Sequence, residues 1–193
     1  DWSSDVCSSD LAFRALGEKP IGLPIDLNNP RWLLANQFYD QVQDACLTDH
    51  FWNFATVRAV LTADPLVTPA WGYGHAFAVP LDYLAMQRVQ AGLEYQREGA
   101  YFVGDEPTLP LTYTARVVDV TLWPAYFTHF FVAALTAAFA EQTTGQLQAA
   151  QLWHGIAERR LLRAKSRDGQ EGTPPRLLSR DLVHARFGRR GRA

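Results

Sequence analysis

From Val120 to Ala140 the chain runs twenty-one residues without an Asp, Glu, Lys or Arg. A charge-free run of that length can cross a bilayer as a helix or form the buried centre of a globular fold. The residues inside it argue against a membrane span. Pro124, His129 and three threonines interrupt the apolar character. Trp123, Tyr126, Phe127, Phe130 and Phe131 crowd the first half instead of forming two interfacial belts. The reading is a central helix enclosed by other helices or by a subunit interface. Pro124 suits a first helical turn, and Thr144-Gly145 breaks the helix after about Thr143.

Other helices should surround this centre. Ala12 to Leu16 read as a helix end closed by Gly17. Asn29-Pro30 reads as an N-cap followed by proline at the first helical position, opening a helix to about Asp49. Trp32, Ala35, Tyr39, Val42 and Cys46 lie on its apolar stripe, with Asn36, Asp40, Gln43 and Asp44 on the wet side. A last long helix is expected from Gln146 to about Arg167, with Leu147, Ala150, His154, Ala157 and Leu161 on one stripe. Between these lie β signals. Phe51 to Ala63 reads as helix end plus strand, and Asp64 to Gly74 as loop. His75 to Val79 reads as strand, and Leu81 to Val89 as a short helix. Glu94 to Val103 reads as a hairpin turning near Glu98-Gly99. Thr112 to Val118 alternates, with Tyr113, Ala115 and Val117 on one face and Thr112, Thr114 and Arg116 on the other. The expected class is α+β, mainly α: a bundle of three to four helices with a small projecting β-hairpin module at about 75–118.

Of 193 residues, 48% are apolar and 20% charged, which excludes collagen-like, wholly disordered and disulfide-scaffold chains. The net charge of −2 conceals two unlike parts. Residues 1–157 carry seven basic against sixteen acidic side chains, a balance of −9, while residues 158–193 carry eleven against four, a balance of +7. The acidic body should repel nucleic acid, and the basic end should attract phosphate or an acidic partner. Cys7 and Cys46 match no zinc or redox spacing and are expected as free thiols. The opening DWSSDVCSSDL repeats Ser-Ser-Asp at 3–5 and 8–10. It lacks an amphipathic period and a secretory pattern, and resembles a translated sequencing adaptor. Residues 1–11 are therefore expected to be non-native or disordered, residues 12–175 to form one domain, and residues 176–193 to form a flexible basic tail.

The search for chemistry returns little. Histidines at 50, 75, 129, 154 and 184 pair with no ligand at metal spacing, and neither HExxH nor CxxC occurs. Asp49-His50 is a lone neighbour pair. His129 and His154 fall among apolar helical positions and read as core or interface groups. Gly72-Tyr73-Gly74 lacks the third glycine and flanking elements of a dinucleotide site and reads as turn chemistry. No catalytic group, cofactor or metal site is expected.

Several blocks in order carry a family resemblance. They are Ala15-Leu16-Gly17-Glu18-Lys19-Pro20-Ile21, Tyr39-Asp40, Trp52-Asn53-Phe54-Ala55 with Arg58, and Ala78-Val79-Pro80-Leu81-Asp82-Tyr83-Leu84. Glu94-Tyr95, Arg97-Glu98-Gly99, Leu111-Thr112-Tyr113, Trp123-Pro124-Ala125-Tyr126-Phe127 and Ala133-Ala134-Leu135 follow. Over about residues 12–175 this order resembles the tail tubular protein A family of short-tailed phages (podoviruses), also described as the gatekeeper or head–tail adaptor. The resemblance implies a structural virion protein, without enzymatic activity or cofactor, at the tail neck. It implies assembly in the host cytoplasm into a ring, usually of twelve subunits, between portal protein and tail nozzle protein (tail tubular protein B). DNA would pass the lumen without sequence-specific binding, and no membrane would be involved. Charge and expected exposure single out Tyr95, Arg97, Tyr101 and Phe102 of the hairpin as contacts for nozzle or neighbour. They single out Arg176 and Arg180 for an acidic portal rim. The alternative reading is a DNA-associated packaging or binding protein acting through the basic end.

Overall fold

A computed structural model describes residues 2–21 and 26–172. Four helices are present: α1 (Trp2–Ala15), α2 (Pro30–Thr48), α3 (Ala125–Thr144) and α4 (Leu147–Asp168). Between α2 and α3 lie six strands: β1 (Thr56–Thr62), β2 (His75–Ala78), β3 (Tyr83–Val89), β4 (Tyr95–Glu98), β5 (Tyr101–Gly104) and β6 (Thr108–Ala115).

The expected helical bundle with a small hairpin is corrected here. The strands make two three-stranded antiparallel sheets, ordered β1-β6-β3 and β2-β5-β4. The fold is mixed α+β with two full layers of strand. The segment Leu81–Val89, read as helix, is mainly β3. Leu84, Ala85, Met86, Gln87 and Arg88 are all good helix formers, but pairing with β6 overrides that local preference. The first strand also starts earlier than the expected module, at Thr56, because β1 pairs along the whole of β6 from Thr56↔Thr114 to Thr62↔Thr108. The hairpin itself is present, with β4 and β5 joined through Gly99 at φ 59°.

The charge-free run supplies α3, which packs against α1, α2 and α4. Phe127, Phe130, Phe131, Leu135 and Phe139 are buried in it. Its buried Thr136 hydroxyl donates to the Val132 carbonyl at 2.6 Å, so the polar atom is satisfied within the helix. Gly145, at φ 66°, closes α3 in the left-handed conformation that glycine adopts without strain. The chain then reverses into α4. Ala150, Ala157 and Ala164, seven residues apart, are the buried stripe of α4. Small side chains there let α3 and α4 approach closely. Leu147 and His154, placed on this stripe by sequence, are exposed, as is His129. Among the described residues, no helix is long and apolar enough to cross a membrane.

The segment 1–11, expected to be non-native or disordered, is helical from Trp2. Ser8, Ser9, Ala12 and Phe13 of α1 are buried, and Phe13 stacks on Phe139 with ring centroids 4.7 Å apart. Asp10 Oδ1 accepts from the Ile21 N–H at 2.6 Å, returning the chain to the helix after Gly17. Gln43, assigned to the wet side of α2, is buried, and its Nε2 donates to the Val117 carbonyl at 2.9 Å. Trp123 Nε1 donates to the same carbonyl at 3.1 Å. One backbone oxygen therefore ties α2 and the start of α3 to the strand exit. The predicted Asn29 cap is present, accepting from the Arg31 N–H at 3.0 Å.

The sheets share an apolar layer. Phe77 of β2 and Phe102 of β5 pack with Leu109, Leu111, Tyr113 and Ala115 of β6. Odd-numbered residues of β6 therefore face inward, as the alternation around Tyr113 predicts. Thr114, on the other face, is also buried, because Gln87 Nε2 donates to both Thr114 Oγ1 (3.1 Å) and Thr56 Oγ1 (2.8 Å).

Candidate functional site

The densest polar constellation centres on Asp168, the last residue of α4, which is 2% exposed. Its Oδ1 accepts from the Asn53 N–H at 3.0 Å and from the Tyr126 hydroxyl at 3.1 Å. Its Oδ2 lies 3.3 Å from His50 Nε2, and its carbonyl accepts from Asn53 Nδ2 at 2.7 Å. Burial and the neighbouring Asp168 carboxylate push the Tyr126 hydroxyl well above the ordinary tyrosine range. His50 packs edge-on against Trp52, with centroids 4.9 Å apart. A buried carboxylate with several donors is a satisfied group. This one joins the end of α4 to the α2–β1 junction and to the first turn of α3. His50, which the sequence sets beside Asp49 alone, has Asp168 as its partner. The available signal was the stripe at 150, 157 and 164, which places 168, four residues on, at a buried position.

The projecting hairpin divides. Tyr95 is 37% exposed and belongs to β4, whose four residues are all exposed at the outer edge of their sheet. The Arg97 guanidinium sits 5.1 Å from the Tyr83 ring centroid, a cation–π arrangement that holds it over the module. Tyr101 is half-buried. Phe102 is 1% exposed and belongs to the apolar layer, so its proposed role as a surface contact is corrected: strand alternation turns it inward. Arg176 and Arg180 lie outside the described residues.

Three arginines of the described basic end share one side of α4, while Lys165 lies nearer Asp49. Arg160, Arg163 and Arg167 line a recess of about 260 Å³ with Tyr126 and His129, and Arg160 Nη1 donates to the His129 carbonyl at 2.8 Å. On another side of α4, a groove of about 330 Å³ runs between α2, α3 and α4. Val42, Ala45, Phe130, Ala134, Ala157 and Leu161 contribute its apolar walls, and Asp49 and Glu158 its acidic rim. Burial raises the Asp49 carboxyl above its ordinary value, partly offset by Lys165. Leu152 and Leu162, 61% and 68% exposed, lie on the solvent side of α4.

Among the described residues, no group of three or more His, Cys, Asp or Glu gathers at metal-binding spacing. Cys46 is buried and Cys7 exposed, both as free thiols, and burial pushes the Cys46 thiol far up. No protein-family model and no curated protein matches the chain.

Proposed function

We propose that the chain is a structural subunit of a phage head–tail adaptor, assembling around a channel between portal and tail nozzle. The observation that carries this reading is a pair of unlike surfaces on one α4 helix. One is the acid-rimmed apolar groove beside α2 and α3. The other is the outward face bearing Leu152, Arg159 and Leu162. Each leaves apolar side chains in water, and their charges are opposite. Two different complementary patches give head-to-tail association, which closes into a ring when the rotation between copies permits. The open β4 edge, with Tyr95, offers a further strand-pairing surface for the nozzle. The acidic balance of residues 1–157 supports passage of DNA without adhesion, since like charge opposes counterion-release binding.

Electron microscopy of the protein mixed with its portal tests this. Expected is a ring stacked coaxially on the portal, twelve copies being the family's usual number. Absence of added density at the portal, together with a monomeric chain at high concentration, rejects the reading. The arginine face of α4 favours a second reading, a DNA-associated packaging protein. Steep salt-dependent binding of duplex DNA by the isolated protein would select it.

A further inference from the structure

The antiparallel register brings together two arginines thirty residues apart in sequence. Arg58 of β1 and Arg88 of β3 both stand opposite Thr112 of the central strand β6. Directly opposed residues in a sheet share a face. Arg58, Thr112 and Arg88 therefore form a row across the three strands, with the outer Cα atoms about 10 Å apart at ordinary strand spacing. This row lies on the face away from the apolar layer, where Leu111 and Tyr113 point. Val60, Pro110 and Gln90 form the next row outward, and the six side chains bound a recess of about 280 Å³.

The charges there are uncompensated. Of the other arginines of the acidic body, three are committed, Arg31 to Glu18, Arg116 to Asp44 and Arg97 to the Tyr83 ring, while Arg14 stands alone in the last turn of α1 with no second arginine across from it. Among the described residues, neither Arg58 nor Arg88 forms an ion pair, and no acidic side chain lines the recess. Both guanidinium groups are exposed, and standing on either side of one residue they raise the local positive potential, which favours an anion between them. The donor inventory selects the anion. Each guanidinium offers a fork of N–H groups, and the Thr112 hydroxyl and Gln90 amide add more. A single arginine fork occupies both oxygens of a carboxylate, whereas a phosphoryl group has enough oxygens for two forks and a hydroxyl. The face carries no aromatic ring for stacking bases.

We propose that the Arg58–Thr112–Arg88 row binds a phosphoryl group. The inference is independent of ring assembly.

The test is a titration of the full chain with inorganic phosphate at constant ionic strength, read by ¹H–¹⁵N NMR. Expected are saturable shifts at the Arg58, Arg88 and Thr112 amides, with Arg58→Gln weakening binding about tenfold, the loss of one charge-assisted contact. Thr112→Val, which preserves the strand, should weaken it less, and Arg163→Gln on α4 should leave it unchanged. Acetate in place of phosphate should shift these amides far less. A short duplex DNA arm identifies the source: competition for the same amides assigns a phosphodiester, and no competition assigns a free phosphate or phosphomonoester. The proposal is overturned by any of three results: no saturable shift, shifts confined to the α4 arginines, or acetate binding as well as phosphate.

Discussion

Replacing Asp168 with alanine should cost about 2–3 kcal/mol of folding stability, because a buried acceptor is lost while the donors it leaves are partly open to solvent. The carboxylate is 2% exposed, so water cannot replace it. Its loss strands the Asn53 N–H and the Tyr126 hydroxyl, both bonded to Oδ1, and leaves His50 Nε2 without the acceptor 3.3 Å away. Asn53 is exposed and Tyr126 half-buried with Glu171 also in reach, so each donor left without the carboxylate costs toward the lower end of about 1–3 kcal/mol. The backbone contact from Asn53 Nδ2 to the Asp168 carbonyl survives the substitution and limits the loss. Asp168→Asn keeps one oxygen for Asn53 and Tyr126 and should cost about half as much. Urea unfolding followed by tryptophan fluorescence reads both variants, because Trp52 lies beside His50 and Tyr126. In thermal melts the alanine variant should fall by roughly 10 °C. If Asp168→Ala unfolds within about 0.5 kcal/mol of the parent, as an ordinary surface substitution does, the network is not a clamp and the reasoning fails.

Three more outcomes follow from the packing and the titrating groups. Asp49→Asn should stabilise the protein at neutral pH. Partial burial raises the folded carboxyl, so the folded state is penalised progressively as pH rises from the ordinary carboxylate value through the folded one. The gain should vanish below the ordinary carboxylate range, and a gain unchanged at acid pH would contradict the assignment. Burial and a hydrogen bond to Asp82 push the Tyr113 hydroxyl up to about 12. Its contribution to stability should hold below the ordinary tyrosine range near pH 10 and disappear as pH rises through about 12, and ultraviolet difference titration of Tyr113→Phe should lose one late-ionising tyrosine. Phe102→Ala should cost about 3–5 kcal/mol as a core cavity, while Tyr95→Ala stays within about 1 kcal/mol. Equal effects in urea melts would put Phe102 back at the surface.

The helices were the most legible elements. Asn29-Pro30 announced the start of α2, Gly17 and Gly145 announced helix ends, and the charge-free run announced the enclosed α3. Each of these signals acts within a turn or two of chain, because helical hydrogen bonds join residues four apart. The hairpin from Glu94 to Val103 was readable for the same reason, its partners being neighbours in sequence. β3 was not. Its residues prefer helix locally, and their strand conformation comes from β6, more than twenty residues further on. Phe102 was misjudged because membership of an exposed-looking hairpin does not say which face meets a second sheet.

Both constellations that matter most here join distant residues. Asn53 and Asp168 stand 115 positions apart, and Arg58 reaches Arg88 only across Thr112. Composition and local pattern established an enclosed apolar helix and an acidic body with a basic end, but underestimated the strands. Which carboxylate is buried, which arginines share a face and which aromatic turns inward depended on the packed molecule. Sheet pairing and desolvation act through space, and their strength carries no trace of separation along the chain.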